Sequence, residues 1–151
     1  QTTLTVYWPP TEGELPVSVE RPKLENLVGG SESLLIAEDD AAVRDFMVRA
    51  LETLGYKVHA AMDGEQALDF LDETGIVPDL LITDLVMPGI SGKLLAAKVN
   101  EVRPSTRVIY VSGYTDDQIA HKGLLLDEIE FLQKPFTIPN LARTVRRVLD
   151  E

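Results

Sequence analysis

The residues that could do chemistry together are spread along the chain, and each stands just after a short apolar run. Glu38-Asp39-Asp40 follow LLIA, Asp84 follows LLIT in LLITDLVMPG, Ser112 ends VIYVS, and Lys134 follows IEFLQ. An isolated carboxylate at the end of a segment made for burial is costly unless something compensates it. Three carboxylates converging from adjacent strands would repel by about 4 kcal/mol per pair at a spacing of about 4 Å and an effective dielectric of about 20. A bound divalent cation, or Lys134, or both, must offset that. Hard carboxylate oxygens with open positions left over suit Mg2+, and zinc is disfavoured because the motif holds neither sulfur nor imidazole. The cation, the Lys134 ammonium and the Ser112 hydroxyl together could hold the three equatorial oxygens of a phosphoryl group, with Asp84 placed to attack phosphorus in line. Such chemistry is mostly positioning and charge neutralisation, so no separate general base is required. The competing reading, an acid at a strand end that caps the next helix, serves well for Asp40. It serves poorly for Asp84, because Leu85, Val86, Met87 and Pro88 intervene before the next helix.

Strands must carry these residues to one rim. Apolar runs at 34–37, 58–61, 80–83, 108–111 and 129–132 alternate with segments of helical periodicity. Val43, Phe46, Met47, Ala50, Leu51 and Leu54 make one apolar stripe, which Gly55 ends. Asp63 with Gln66 reads as a capping box ahead of Ala67, Leu68 and Leu71. Leu94, Leu95, Lys98, Val99 and Val102 form a more mixed segment closed by Pro104. A weaker helix is predicted over 116–122, capped by Thr115 and ended by Gly123. Leu141, Val145, Val148 and Leu149 form the last, with Arg143, Arg146 and Arg147 mostly off the stripe and read as a solvated face. This alternation predicts an α/β fold, a doubly wound five-stranded parallel sheet of order 2-1-3-4-5 with helices on both faces. In that order the carboxyl ends of strands one and three border the crevice where ligands bind.

Composition sets limits on partners. At 151 residues the chain can bury one good core and is too short for two. Its net charge of -11 disfavours nucleic acid, whose readers need a basic face. The absence of cysteine rules out disulfides and fits a reducing compartment. No apolar run reaches the roughly 18 residues that span a bilayer, and no signal peptide opens the chain. A cytoplasmic location follows as the expectation, without direct membrane contact, whether or not a parent protein is membrane-anchored. Residues 1–30 differ from the rest: 2–7 alternate like a strand that Trp8-Pro9-Pro10 stops, and Pro16, Pro22 and Gly29-Gly30 read as a linker. The expected organisation is an extension over 1–30 and a domain over 31–151. His59 and His121 read as a strand-face and a helix-surface residue, and Trp8 as a surface or interdomain aromatic.

LLIAEDD, LLITDLVMPGISG, VIYVSGY and FLQKPF, in this order and spacing, resemble the motifs of the response-regulator receiver domain, over about 31–151. The resemblance implies a flavodoxin-like domain that takes a phosphoryl group from phosphohistidine onto Asp84. It implies Mg2+ held by Asp39 and Asp84 directly, by the backbone carbonyl of Val86, and by Glu38 through water. It implies that Ser112 and Lys134 bind the phosphoryl group and that the Lys134-Pro135 peptide is cis. Ser112 and Phe131 would carry the conformational switch. Val86 and Tyr114 would modulate the lifetime of the phosphoaspartate, and since Val86 cannot hold a hydrolytic water, a lifetime of minutes or longer is expected. HKGLLLDEIEF departs from the family by reading as a short helix and a loop, which puts in doubt the usual dimer face built from the fourth helix, fifth strand and last helix.

QTTLTVYWPP is similar to the closing strand of a histidine-kinase ATP-binding domain, which implies a hybrid sensor histidine kinase as parent. The start at Gln1 fits a chain cut from something longer. The kinase's own histidine, its Asn-containing box and its lid are not in this sequence, so kinase activity would belong to the parent. Output is expected through protein contact and not through a DNA-binding domain after Glu151, with a histidine kinase or a histidine phosphotransfer domain in cis or in trans as partner. Two alternatives stand beside this: a receiver-like binding module that works without phosphorylation, and a Mg2+-dependent phosphohydrolase using an aspartyl phosphate. The latter needs its nucleophile in a D-x-D at the end of strand one, where this chain reads Glu38-Asp39-Asp40.

Overall fold

The computed structural model describes residues 27–113 and 129–151. Its elements in chain order are β1 (Ser33–Ala37), α1 (Ala41–Thr53), β2 (Lys57–Ala61), α2 (Gly64–Thr74), β3 (Leu80–Asp84), α3 (Gly92–Val102), β4 (Arg107–Ser112), β5 (Glu130–Gln133) and α4 (Ile138–Asp150). The strands form one parallel sheet of order β2-β1-β3-β4-β5. The register sets Leu34 beside Leu80 and Ala37 beside Thr83, and continues from Leu80 beside Arg107 to Asp84 beside Val111.

The two-residue period of a strand explains how one apolar run fills two cores. Leu34, Ile36, Leu80, Ile82, Ile109 and Val111 face α1 and α4, meeting Met47, Leu51, Leu141 and Val145. Leu35, Ala37 and Leu81 face the other way, onto Ala67 and Leu71 of α2 and Leu95 and Val99 of α3. Burial of each such Leu or Ile contributes roughly 1.5–3 kcal/mol. Edge strand β2 is correspondingly less apolar, and His59 lies on its face with its ring 4.9 Å from that of Phe70.

Each helix begins where a side-chain oxygen satisfies its first amides. Asp40 accepts from the N–H groups of Ala42 and Val43, Asp63 from Gln66, Ser91 from Leu94 and Thr137 from Asn140. Gln66 completes its box one residue early, accepting from the Met62 N–H at 2.8 Å. In α1 the predicted stripe buries Met47, Ala50 and Leu51, while Phe46 lies at its exposed edge. Gly55, with φ of 97°, follows the last turn in a conformation that other residues resist.

The mixed helical segment of Leu94, Leu95, Lys98, Val99 and Val102 is α3. The buried positions are Gly92, Leu95, Ala96 and Val99, a clean i, i+3, i+4, i+7 set. Leu94 and Val102 are 49% and 67% exposed, and Lys98 shares their outward stripe. Gly92 and Ala96 carry little apolar surface, yet their smallness lets the helix approach the sheet. On α4 the stripe holds, with Leu141, Ala142, Val145 and Val148 buried. Two of the arginines off that stripe are engaged in ion pairs. Arg146 lies 2.8 Å from Glu32, just ahead of β1, and 2.7 Å from Asp150, and Arg147 pairs in a two-pronged fashion with Glu130 of β5.

Gly30, at the end of the predicted linker, is tied in, its N–H donating to the Leu54 carbonyl at 3.2 Å. The strand read at 2–7, Trp8, Tyr114, the helix read at 116–122 with His121, and most of HKGLLLDEIEF lie outside the described residues.

The Arg146 hydrogen bond holds the Glu32 carboxyl below the usual carboxylate range. A carboxylate depressed in the folded state adds stability above its unfolded pKa, and that stability disappears as pH falls through the folded value. Glu32→Gln is therefore expected to lose about 0.5–1 kcal/mol at neutral pH, the range of a partly exposed pair. In urea unfolding the difference from wild type should shrink toward zero in acid.

Candidate functional site

β1 and β3 are neighbours whose following helices pack on opposite faces of the sheet, so a crevice opens at their carboxyl ends. Asp84 is the last residue of β3 and almost fully buried. One of its oxygens, Oδ1, accepts the Val86 N–H at 2.9 Å; the other, Oδ2, lies 2.6 Å from Lys134 Nζ. Lys134 comes in just past β5, where its backbone N–H bonds the Ser112 carbonyl at 2.8 Å, and the peptide to Pro135 is cis. The same ammonium reaches Glu38, at 3.0 Å from Oε1 and 2.8 Å from Oε2. Glu38 is fully buried, whereas Asp39 is exposed. Each of Glu38, Asp39 and Asp84 offers an oxygen within 4.8 Å of the others. Asp40 points elsewhere and caps α1, with Oδ1 2.8 Å from the Ala42 N–H.

The charges are uneven. Burial pushes the Glu38 carboxyl up, the Lys134 hydrogen bond pulls it back in part, and repulsion from Asp84 adds to the rise. For Lys134 burial works against the ammonium, yet the bonds to Asp84 and Glu38 prevail and hold its pKa above the ordinary lysine value. One ammonium, touching Glu38 and Asp84, thus stands beside a cluster of three carboxylates. Glu38 Oε2 is buried and has no hydrogen-bond partner among the described residues, its close approach to Lys134 being off the hydrogen-bond angle. An orphaned buried oxygen, two more carboxylates in reach and no soft donor make a set that fits a hard divalent cation or a water bound to one.

The other predicted residues sit around this centre. Ser112 is the buried last residue of β4, and Val86 is about half exposed at the mouth. Phe131 is partly buried on β5, packed with Leu85, Tyr110 and Ile129. An open, mostly apolar groove of about 460 Å³ adjoins Lys134, lined by Ala42, Val43, Phe46, Pro135 and Phe136.

Three residues of the site were passed over in the sequence. Thr83 donates its hydroxyl to the Asp84 carbonyl at 3.1 Å. Gly92 opens α3 so close to β3 that a Cβ there would lie 2.0 Å from that same carbonyl oxygen. The signal for Gly92 was available, since a glycine inside the first turn of a helix weakens it and needs a packing reason. Arg44, on the first turn of α1, donates to the Glu38 carbonyl at 2.7 Å. Nothing in the pattern of charges separates Arg44 from an ordinary helix-surface arginine.

A five-stranded doubly wound sheet with an acid cluster and a lysine at the β1/β3 crevice defines the receiver domains of two-component signalling. The chain belongs to the response regulator receiver domain family, whose model matches residues 34–146. It is 36% identical over 140 residues to the sensor kinase CckA of Brucella abortus (strain 2308), a match that covers 91% of this chain and 15% of that protein. It is 32% identical over 116 residues to the response regulator receiver protein CpdR of the same organism, covering 77% of this chain and 95% of that one. Among solved structures, the receiver domain of the hybrid histidine kinase CckA superposes with a TM-score of 0.65 at 37% identity, over 78% of this chain and 98% of that one. The chemotaxis protein CheY4 of Vibrio cholerae superposes with a TM-score of 0.69 at 25% identity, over 79% and 99%. The chain thus spans a small part of CckA and nearly all of CpdR. Among the described residues, no helix is long and apolar enough to cross a membrane.

Because Glu38 titrates above its ordinary range when folded, ionising it costs stability. That cost is absent below its unfolded pKa and grows until pH passes the raised folded value. Glu38→Gln is expected to stabilise the protein in EDTA by about 1 kcal/mol at neutral pH, the excess of carboxylate repulsion and burial over one ion pair. Thermal unfolding should show the gain vanishing in acid. Mg2+ titration of the same variant should show weaker binding.

Proposed function

We propose that Asp84 is the phosphoacceptor of a phosphorelay, taking its phosphoryl group from a phosphohistidine. The observation that carries the reading is the Lys134 ammonium held between Asp84 and buried Glu38, with three carboxylates in reach of one another. In this reading an Asp84 oxygen attacks phosphorus, the bond from phosphorus to the donor's imidazole nitrogen breaks, and that nitrogen leaves with its electron pair. Lys134 exchanges its 2.6 Å contact with Asp84 for an oxygen of the transferred group. The Ser112 hydroxyl donates to a second oxygen, and Phe131 shifts with it as the switch. Asp39, Asp84, the Val86 carbonyl and, through water, Glu38 would hold Mg2+, which when bound neutralises charge on the phosphoryl oxygens.

The parent we infer is a hybrid sensor histidine kinase, with residues 1–30 as the extension that leads into the receiver. The match to CckA, at 140 residues, is longer than the family match over 34–146, so it includes sequence ahead of β1. The partner is then a kinase or phosphotransfer-domain histidine, in cis or in trans, and the setting is the cytoplasm. The net charge of -11 weighs against nucleic acid. A phosphohydrolase with its nucleophile on the first strand is disfavoured by the position of Asp84 on β3.

Intact-mass analysis with acetyl phosphate and Mg2+ tests this. Wild type should gain the mass of one phosphoryl group, and Asp84→Asn should gain none. Failure of the wild type to label would instead favour a phosphorylation-independent module. With Val86 unable to position a water, the label should persist for minutes or longer after the donor is removed. Decay within seconds in Mg2+ would contradict that role for Val86.

A further inference from the structure

We propose that Arg44 is a positioning residue of the carboxylate site, fixing the β1–α1 turn so that Glu38 and Asp39 present their oxygens together. This rests on the reading that these carboxylates take Mg2+. The guanidinium reaches back from α1 to consecutive backbone carbonyls, at 2.7 Å from that of Glu38 and at the outer limit, 3.5 Å, from that of Asp39. Among the described residues, the other backbone hydrogen bonds of the turn are local or come from β2. The Glu38 N–H donates to the Ala61 carbonyl at 3.2 Å, and the Asp40 N–H donates to Glu38 Oε1 at 3.2 Å. Asp40 itself is occupied as the cap of α1. Asp39 is exposed, so its carboxylate stands where its backbone puts it. Arg44 is therefore the side chain that holds the backbone from which both acids project.

Charge and position make opposite predictions, which separates them. A cation beside an acidic site lowers its attraction for a metal, so if Arg44 acted only through charge, removing it would tighten Mg2+ binding. If it positions the turn, removal weakens binding. Loss of a group that orients a metal ligand typically costs about 10–100-fold in affinity. Arg44→Lys keeps the charge but not the planar fork, and Arg44→Met keeps the bulk of the stem alone.

The test is Mg2+ affinity by calorimetry for the whole chain and both variants, with amide hydrogen exchange on the metal-free proteins. Arg44→Met should raise the Kd for Mg2+ about tenfold, with Arg44→Lys in between. In the metal-free protein the Asp40 amide of Arg44→Met should exchange about tenfold faster than in wild type, while the buried amides of β3 stay as they were. An unchanged or tighter Kd, or an Asp40 amide no faster than in wild type, overturns the proposal. If wild type takes up no Mg2+ but the Asp40 amide still responds, the metal reading fails and the positioning role stands.

Discussion

The contact on which this structure turns is the one between Lys134 Nζ and the carboxylates of Asp84 and Glu38. Buried Glu38 with a nearby Asp84 would be untenable in isolation, because burial and mutual repulsion both oppose ionisation. The ammonium makes the arrangement possible without making it comfortable. Acids outnumber it, one Glu38 oxygen is left without a hydrogen bond among the described residues, and the imbalance leaves the centre with the character of a hard-cation site. The sheet supplies the geometry. β1, β3 and β4 are in register and buried, so their carboxyl ends present Glu38, Asp84 and Ser112 on one rim, and β5 brings Lys134 alongside.

The chemistry-bearing residues and the topology could be read from the sequence because they obey simple rules. Strands buried on both faces give short uninterrupted apolar runs, and a polar residue directly after such a run has to stand at the strand's end. Asp84, Glu38 and Lys134 follow that logic, and their meeting needs only the strand order. The buried face of α3 is less legible because it depends on volume, since Gly92 and Ala96 pack by being small. Arg44 was invisible because its partners are backbone carbonyls, which leave no trace in side-chain patterning. The arginines of α4 were underrated for a related reason. Glu32 and Glu130 lie far from Arg146 and Arg147 in sequence, and only the packing of α4 beside β1 and β5 makes them pairs.

These pairs give the frame around the site a second role. Arg146 ties the last helix to the segment entering β1, while the neighbouring Arg147 ties it to β5, the strand that carries Phe131 and leads into Lys134. The helix is thus fastened to both ends of the set of strands that build the centre. The Arg147–Glu130 pair is largely exposed and weak in energy, so it fixes orientation more than it adds stability.

The spacing of the centre along the chain has a consequence for its synthesis. Lys134 lies 96 positions after Glu38 and 50 after Asp84. A ribosome that has released everything through β4 has already produced all the acids and none of their counter-charge. Until the final strand docks, the acids can escape repulsion only by staying apart, taking up protons or recruiting a cation from solution. The centre therefore gains its counter-charge only after every strand that carries its acids has been made. Chains that stop short of β5 carry Glu38, Asp39 and Asp84 without the ammonium that faces Glu38 and Asp84 in the folded protein.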